Sequence, residues 1–206
     1  MVMGGSQGAR RVNELVAAGL PQFAASGIQI LHISGPGDYE LVKPAFEACP
    51  EAGELRDFCA EIQYAYAAAD LAICRSGAST LTELAYYEIP SVLIPYPFSA
   101  EDHQTTNAEI FSLPGAAELW RQEDLNEKNF AGKIISLIND DKRLAKMKVA
   151  VSELAVPLRV SRYGTRGGWW PTTCAPATSI PSTVTSTCTW LIPPAIVAAV
   201  LSASSS

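Results

Sequence analysis

Val12, Leu15, Val16 and Leu20 recur at the spacing that lines up side chains on one face of a helix, which predicts a helix over 9–25 ended by Gly27. The next apolar run, Ile28-Gln29-Ile30-Leu31-His32-Ile33, is too short for a helix and rich in β-branched residues. Ser34-Gly35-Pro36-Gly37 closes it with turn chemistry. The same grammar then repeats, predicting helices over 39–49, 61–68, 78–87, 101–111, 126–138 and 141–154, and strands over 54–59, 71–74, 91–95 and 116–120. Met1-Val2-Met3 runs straight into Gly4-Gly5 and reads as the end of one more strand, whose beginning would precede residue 1. These strands are continuous apolar stretches, without the alternation of a sheet that has one wet face. Strands alternating with helices, with both sheet faces covered, predict an α/β fold: a Rossmann-like, doubly wound parallel sheet whose ligands sit beyond the carboxyl ends of the strands.

From Pro157 the grammar changes. Residues 162–206 are dominated by Ser, Thr, Pro, Gly and Trp, contain no Asp, Glu or Lys, and keep neither period. The expected organisation is a domain over 1–156 and an irregular tail over 157–206. A natural Ser/Thr/Pro-rich linker and translation out of frame both account for such a tail; Gly167-Gly168-Trp169-Trp170-Pro171 and the abrupt loss of acids favour the second. Charge divides at the same place. The first 153 residues hold 12 basic and 21 acidic side chains, a net of −9, against +3 for the rest, within a total of −6.

A net charge of −6 argues against a nucleic-acid partner, which needs a basic face to displace counterions. The five cysteines form no C-x-x-C pair and have no histidine at ligand spacing, so no metal is expected and a reduced, cytosolic setting fits. No apolar run approaches the roughly 20 residues that cross a bilayer.

Two glycine turns carry the candidate chemistry. Gly4-Gly5-Ser6-Gln7-Gly8 and Cys74-Arg75-Ser76-Gly77-Ala78 each join a strand to a helix, where backbone N–H groups lack intrahelical acceptors and the helix dipole favours an anion. Two such turns suggest a diphosphate. Glu83, about one turn into the second helix, could accept hydrogen bonds from the vicinal hydroxyls of a ribose. Thr80-Leu81-Thr82-Glu83 equally fits a capping box, with Glu83 bonded back to its own helix start. Arg75 has two readings, a phosphate contact or a bridge to carboxylates of the fold. His32, on an apolar strand, is expected to be a hydrogen-bonded structural residue, and Glu101-Asp102-His103 could be only a solvated helix start. The first turn lacks the G-x-G-x-x-G spacing of a dinucleotide site.

Gly4-Gly5-Ser6-Gln7-Gly8-Ala9-Arg10, Cys74-Arg75-Ser76-Gly77-Ala78 with Glu83, and His103-Gln104 followed by Asn107-Ala108 resemble the donor-binding half of the MurG family. These are the bacterial peptidoglycan glycosyltransferases that add N-acetylglucosamine to lipid I. The resemblance covers about 1–156, and the tail does not share it. It implies the C-terminal domain of a two-domain GT-B enzyme working on the cytoplasmic face of the inner membrane as a peripheral protein. Its donor would be UDP-N-acetylglucosamine and its acceptor lipid I, with inversion at the anomeric carbon and neither cofactor nor metal.

By the same resemblance Gly5, Ser6 and Gln7 meet the diphosphate, and Ser79 and Thr80 line the helix start beside it. Glu83 holds the ribose, the backbone of Cys59 meets the uracil edge, and His103 and Gln104 contact the sugar. The family's proposed base is a histidine in the N-terminal domain, so no catalytic residue is assigned here, and the fragment alone is expected not to turn over. A UDP-sugar-binding module, an inert gene fragment, or a GT-B transferase with another lipid acceptor are the competing readings.

Overall fold

The computed structural model describes residues 1–4, 9–99 and 102–163, with side chains to residue 155. Six strands, β1 (Val2–Met3), β2 (Ile30–Ile33), β3 (Gly53–Arg56), β4 (Ala72–Cys74), β5 (Ser91–Leu93) and β6 (Ala117–Leu119), form one sheet in the order β3-β2-β1-β4-β5-β6. Every pairing is parallel. The helices are α1 (Arg10–Ala25), α2 (Tyr39–Ala48), α3 (Ile62–Ala67), α4 (Ala78–Tyr87), α5 (His103–Ser112), α6 (Phe130–Ile138) and α7 (Asp141–Tyr163). This is the doubly wound α/β fold of the expectation.

Burial explains why the strands read as they do. All three residues of β4 and of β5 are buried, because helices cover both faces there, whereas edge strand β3 alternates between half-buried and exposed. The core forms around the α1 face predicted from periodicity. Val12, Leu15, Val16, Leu20 and Phe23 are each at most 1% exposed and pack with Phe130, Ala131, Ile134 and Leu137 of α6. Each such side chain contributes about 2 kcal/mol by leaving water. Gly19 sets the α1–α6 approach, since a Cβ there would lie 3.0 Å from that of Ala131 and 2.9 Å from the Phe23 ring.

Three boundaries differ from expectation by three residues or more. The strand expected over 54–59 stops at Arg56, where Asp57 bonds the next backbone N–H with its own carboxylate and turns the chain out of the ladder. The helix expected from 126 begins at Phe130, because the Asn126 carboxamide accepts from the N–H groups of Lys128 and Asn129 and holds a separate turn first. Helix α7 continues past residue 154 to Tyr163, running through Pro157 and ending before Gly164 of the sequence. The rest of the tail, from residue 164, lies outside the described residues.

Candidate functional site

Strand order reverses between β1 and β4. Met3 pairs with Cys74, so the turn that begins at Gly4 and the turn that begins at Arg75 leave adjacent strands in register, at the same edge of the sheet. A crevice opens at such a switch point. Gly4 is required by the tightness of its turn: a Cβ there would come within 2.5 Å of the Ala9 Cβ. Gly5, Ser6 and Gln7, expected to meet a diphosphate, lie outside the described residues, although both ends of their turn are described.

The second turn is visible throughout. Gly77, extended at φ −67° and ψ 145°, precedes α4, and no side chain caps the helix. Leu81 is the first residue to bond back, to the Gly77 carbonyl at 3.0 Å. The N–H groups of Ala78, Ser79 and Thr80 therefore keep the anion-binding character of an uncapped helix start. Ser79 is exposed and Thr80 half-buried. This geometry excludes the capping-box alternative, because the helix begins at Ala78 and Glu83 lies in its second turn. The Glu83 carboxylate instead accepts from the Tyr66 hydroxyl, Oη to Oε2 at 2.5 Å. The same hydroxyl lies 3.3 Å from the Met3 sulfur, so one phenol spans from the end of β1 to Glu83.

Helix α5 is bound to the β4–α4 turn at two points. Asn107 Nδ2 donates to the Ser76 carbonyl at 3.1 Å, and the Gln104 carbonyl accepts from the Ser76 hydroxyl at 2.6 Å. The Gln104 side-chain Oε1 accepts from the Tyr96 N–H at 2.9 Å, which leaves the amide's two N–H donors for other use. His103, next to it, is exposed. Cys59 follows β3, which stands about 10 Å from β1 across two strand spacings. It is half-buried, with Arg56 Nη1 at 3.8 Å from its sulfur, and the preceding Phe58 is 71% exposed.

Arg75 bridges parts of the fold, but through carbonyls and an amide in place of carboxylates. Its Nη1 donates to the carbonyls of Ile94 and Pro95, both at 3.1 Å, and Nη2 to Gln122 Oε1 at 2.7 Å. The guanidinium also lies 5.4 Å from the Tyr96 ring centroid. It joins the β4 exit to the β5 exit as a buried bracket. Cys74, fully enclosed at the end of β4, has its thiol pushed up to about 12 by burial and is no nucleophile. His32 donates from Nε2 to Asn13 Oδ1 at 2.8 Å and is a core residue, 0% exposed. Tyr66, Tyr96 and Ser76 are the partners that sequence reasoning missed. Tyr66 precedes Glu83 by 17 positions and belongs to no motif, so only the fold reveals the contact.

Residues 1–161 match the model of the glycosyltransferase family 28 C-terminal domain. The chain belongs to that family. Curated relatives include UDP-N-acetylglucosamine--N-acetylmuramyl-(pentapeptide) pyrophosphoryl-undecaprenol N-acetylglucosamine transferases. That of Nitratidesulfovibrio vulgaris strain DP4 is 40% identical over 151 residues, 73% of this chain and 41% of the relative. That of Microcystis aeruginosa is 42% identical over 163 residues, 76% of this chain and 43% of the relative. The crystal structure of Acinetobacter baumannii MurG superposes with a TM-score of 0.67 at 30% identity, over 75% of this chain and 44% of that one. A kitacinnamycin glycotransferase, 17% identical with a TM-score of 0.53, shares the fold over 75% of this chain and 39% of its own. The chain thus spans less than half the length of these relatives and corresponds to the C-terminal, Rossmann-like half of a GT-B enzyme. Among the described residues no helix is long and apolar enough to cross a membrane, and no group of His, Cys, Asp and Glu could hold a metal ion.

Proposed function

We propose that this chain is the donor-binding domain of a MurG-type transferase, which takes N-acetylglucosamine from UDP-N-acetylglucosamine for transfer to lipid I. The observation that carries the reading is the pairing of Met3 with Cys74, from which two strand-to-helix turns leave side by side, with Glu83 linked through Tyr66 to the end of β1. Family membership supports the nucleotide-sugar class, and the names of the relatives support this donor and acceptor.

On this reading Gly5, Ser6 and Gln7, with the amides of Ala78, Ser79 and Thr80, hold the diphosphate. Glu83 accepts from the ribose hydroxyls, and the backbone at Cys59 meets the uracil edge. Gln104 donates its side-chain amide to the sugar, with His103 beside it. As the anomeric bond breaks, negative charge grows on the β-phosphate of the departing UDP. Fixed N–H donors at an uncapped helix start stabilise that charge and need no reorganisation to do so. The acceptor hydroxyl attacks the opposite face of the sugar, which inverts the anomeric centre, and its proton leaves to a base outside the matched half. The 206 residues therefore bind donor without turnover, and the assembled enzyme would work at the cytoplasmic face of the membrane.

Calorimetric titration of the full chain with UDP tests this reading. Binding that is weakened about tenfold or more by Glu83→Ala is expected, since a hydrogen-bonded charged group is lost. An absence of heat with UDP would favour the inert-fragment alternative. N-acetylglucosamine transfer to a lipid I analogue by this chain alone, at enzyme-like rates, would overturn the division of labour between two halves.

A further inference from the structure

We infer that Tyr66 is a positioning residue of the donor site, one that holds the Glu83 carboxylate in the orientation that recognises a ribose. The inference rests on the donor-site reading given above and concerns how its acid is held. Tyr66 is 1% exposed, and its ring stacks on Tyr87 with centroids 5.1 Å apart and planes 11° from parallel. A ring packed this way has one place to put its hydroxyl. That hydroxyl lies 2.5 Å from Glu83 Oε2, the short distance of an O–H donor on an ionised carboxylate.

The phenol's pKa is raised, first by burial and then by its bond to Glu83, so the group stays protonated and is always the donor. A carboxylate oxygen has two lone pairs, so the bond to Tyr66 uses one and leaves Oε2 a second. Among the described residues no donor reaches Oε1. The pair thus offers vicinal hydroxyls two acceptor atoms whose rotation about the last side-chain bond is already stopped. Preorganisation of this kind increases affinity by removing the entropy cost of fixing the group on binding. The same hydroxyl lies 3.3 Å from the Met3 sulfur, a packing contact with the end of β1, since its one proton goes to Glu83.

The test uses the full chain, titrated calorimetrically with UDP and with 2′,3′-dideoxyuridine diphosphate. Tyr66→Phe keeps the stacked ring and removes only the hydroxyl, and equal thermal unfolding of variant and parent checks the fold. Tyr66→Phe is expected to weaken UDP binding about five- to tenfold while changing affinity for the dideoxy ligand less than about twofold. Equal weakening of both ligands would make Tyr66 a general structural support and overturn the inference, as would unchanged UDP binding. Glu83→Ala separates the two levels. If it abolishes the preference for ribose while Tyr66→Phe does not, the donor site stands and the positioning role falls. If Glu83→Ala leaves UDP affinity untouched, both fall.

Discussion

The His32 cluster on the β2 side of β1 and the Arg75 cluster on the β4 side both bury an ionisable residue near the carboxyl end of a strand, and they satisfy it differently. Asn13 Nδ2 donates to the Ser34 carbonyl at 3.0 Å and to Asp38 Oδ2 at 2.9 Å, so its Oδ1 must accept from His32 and Nε2 carries the ring proton. His32 Nδ1 is then a buried lone pair with no partner. Arg75 has three acceptors for its two terminal nitrogens and a ring face beside it, and leaves its Nε–H buried without a partner. Burial lowers its pKa, yet a guanidinium starts so far above neutrality that it remains a cation. One cluster is built for a neutral ring, the other for a permanent charge. Acid therefore acts on the contact between α1 and the β2 exit, and leaves the bracket around the β5 exit alone.

Removing the guanidinium should have the largest effect. Arg75→Ala strands the carbonyls of Ile94 and Pro95 and the side chain of Gln122, and opens a cavity behind Tyr96. It is expected to cost about 4 kcal/mol in urea unfolding, with a cost that is flat between pH 8 and 5. Arg75→Lys keeps the charge but cannot reach all three acceptors, and should recover less than half. A stabilised Arg75→Ala would mean that the buried charge is a net burden on the fold.

Acidification should remove somewhat less. Burial, and secondarily the N-terminal amino group, lowers His32 from 6.5 to about 4. The unfolded chain then binds the proton first, so the stability from this residue is complete above pH 6.5 and is lost as pH falls toward 4. The shift corresponds to about 3 kcal/mol. Subtracting the urea stability of His32→Gln from that of the parent across this range isolates it. A difference independent of pH would sink the assignment of a neutral, buried ring.

Asn13→Ala should cost about 2 kcal/mol, because it leaves the His32 Nε2 proton and the Ser34 carbonyl without their partner. Combined with His32→Gln it should cost clearly less than the sum, as both act through one network. Combined with Arg75→Ala it should be additive. Coupling between the two clusters would mean that they form one unit across β1 and β4.

Much of this was legible in residue order and much was not, and the divide is between local and distant partners. Helix α4 was read with its observed limits because Gly77 and the periodic Leu81, Leu84 and Ala85 signal it locally. The two glycine turns announced their strand-to-helix setting for the same reason. Spacing left the role of Glu83 divided between a capping box and a ligand contact, since the alternatives differ only in where the helix begins. The partners of Arg75 are not legible because its acceptors come from residues 19, 20 and 47 positions away. Residue order places Tyr66 only within a helix over 61–68, and the packing of α3 against α4 brings it to Glu83.

The smallest effect is expected at Asn126, the residue that delays α6, and it serves to sharpen the others. Its Oδ1 accepts from Lys128 N at 3.0 Å and from Asn129 N at 3.1 Å, and its own N–H donates to Asn129 Oδ1 at 2.9 Å. All of this is exposed, so water can replace what Asn126→Ala removes, and the loss should be about 1 kcal/mol, the usual cost of a deleted cap. Nothing in this turn titrates with His32 or touches Arg75, so the loss should be the same at pH 8 and at pH 5 and additive with either cluster's variants. If Asn126→Ala instead became costlier as pH fell, the acid sensitivity attributed to the β2 side would belong to the whole domain, and the contrast between the two clusters would lose its basis.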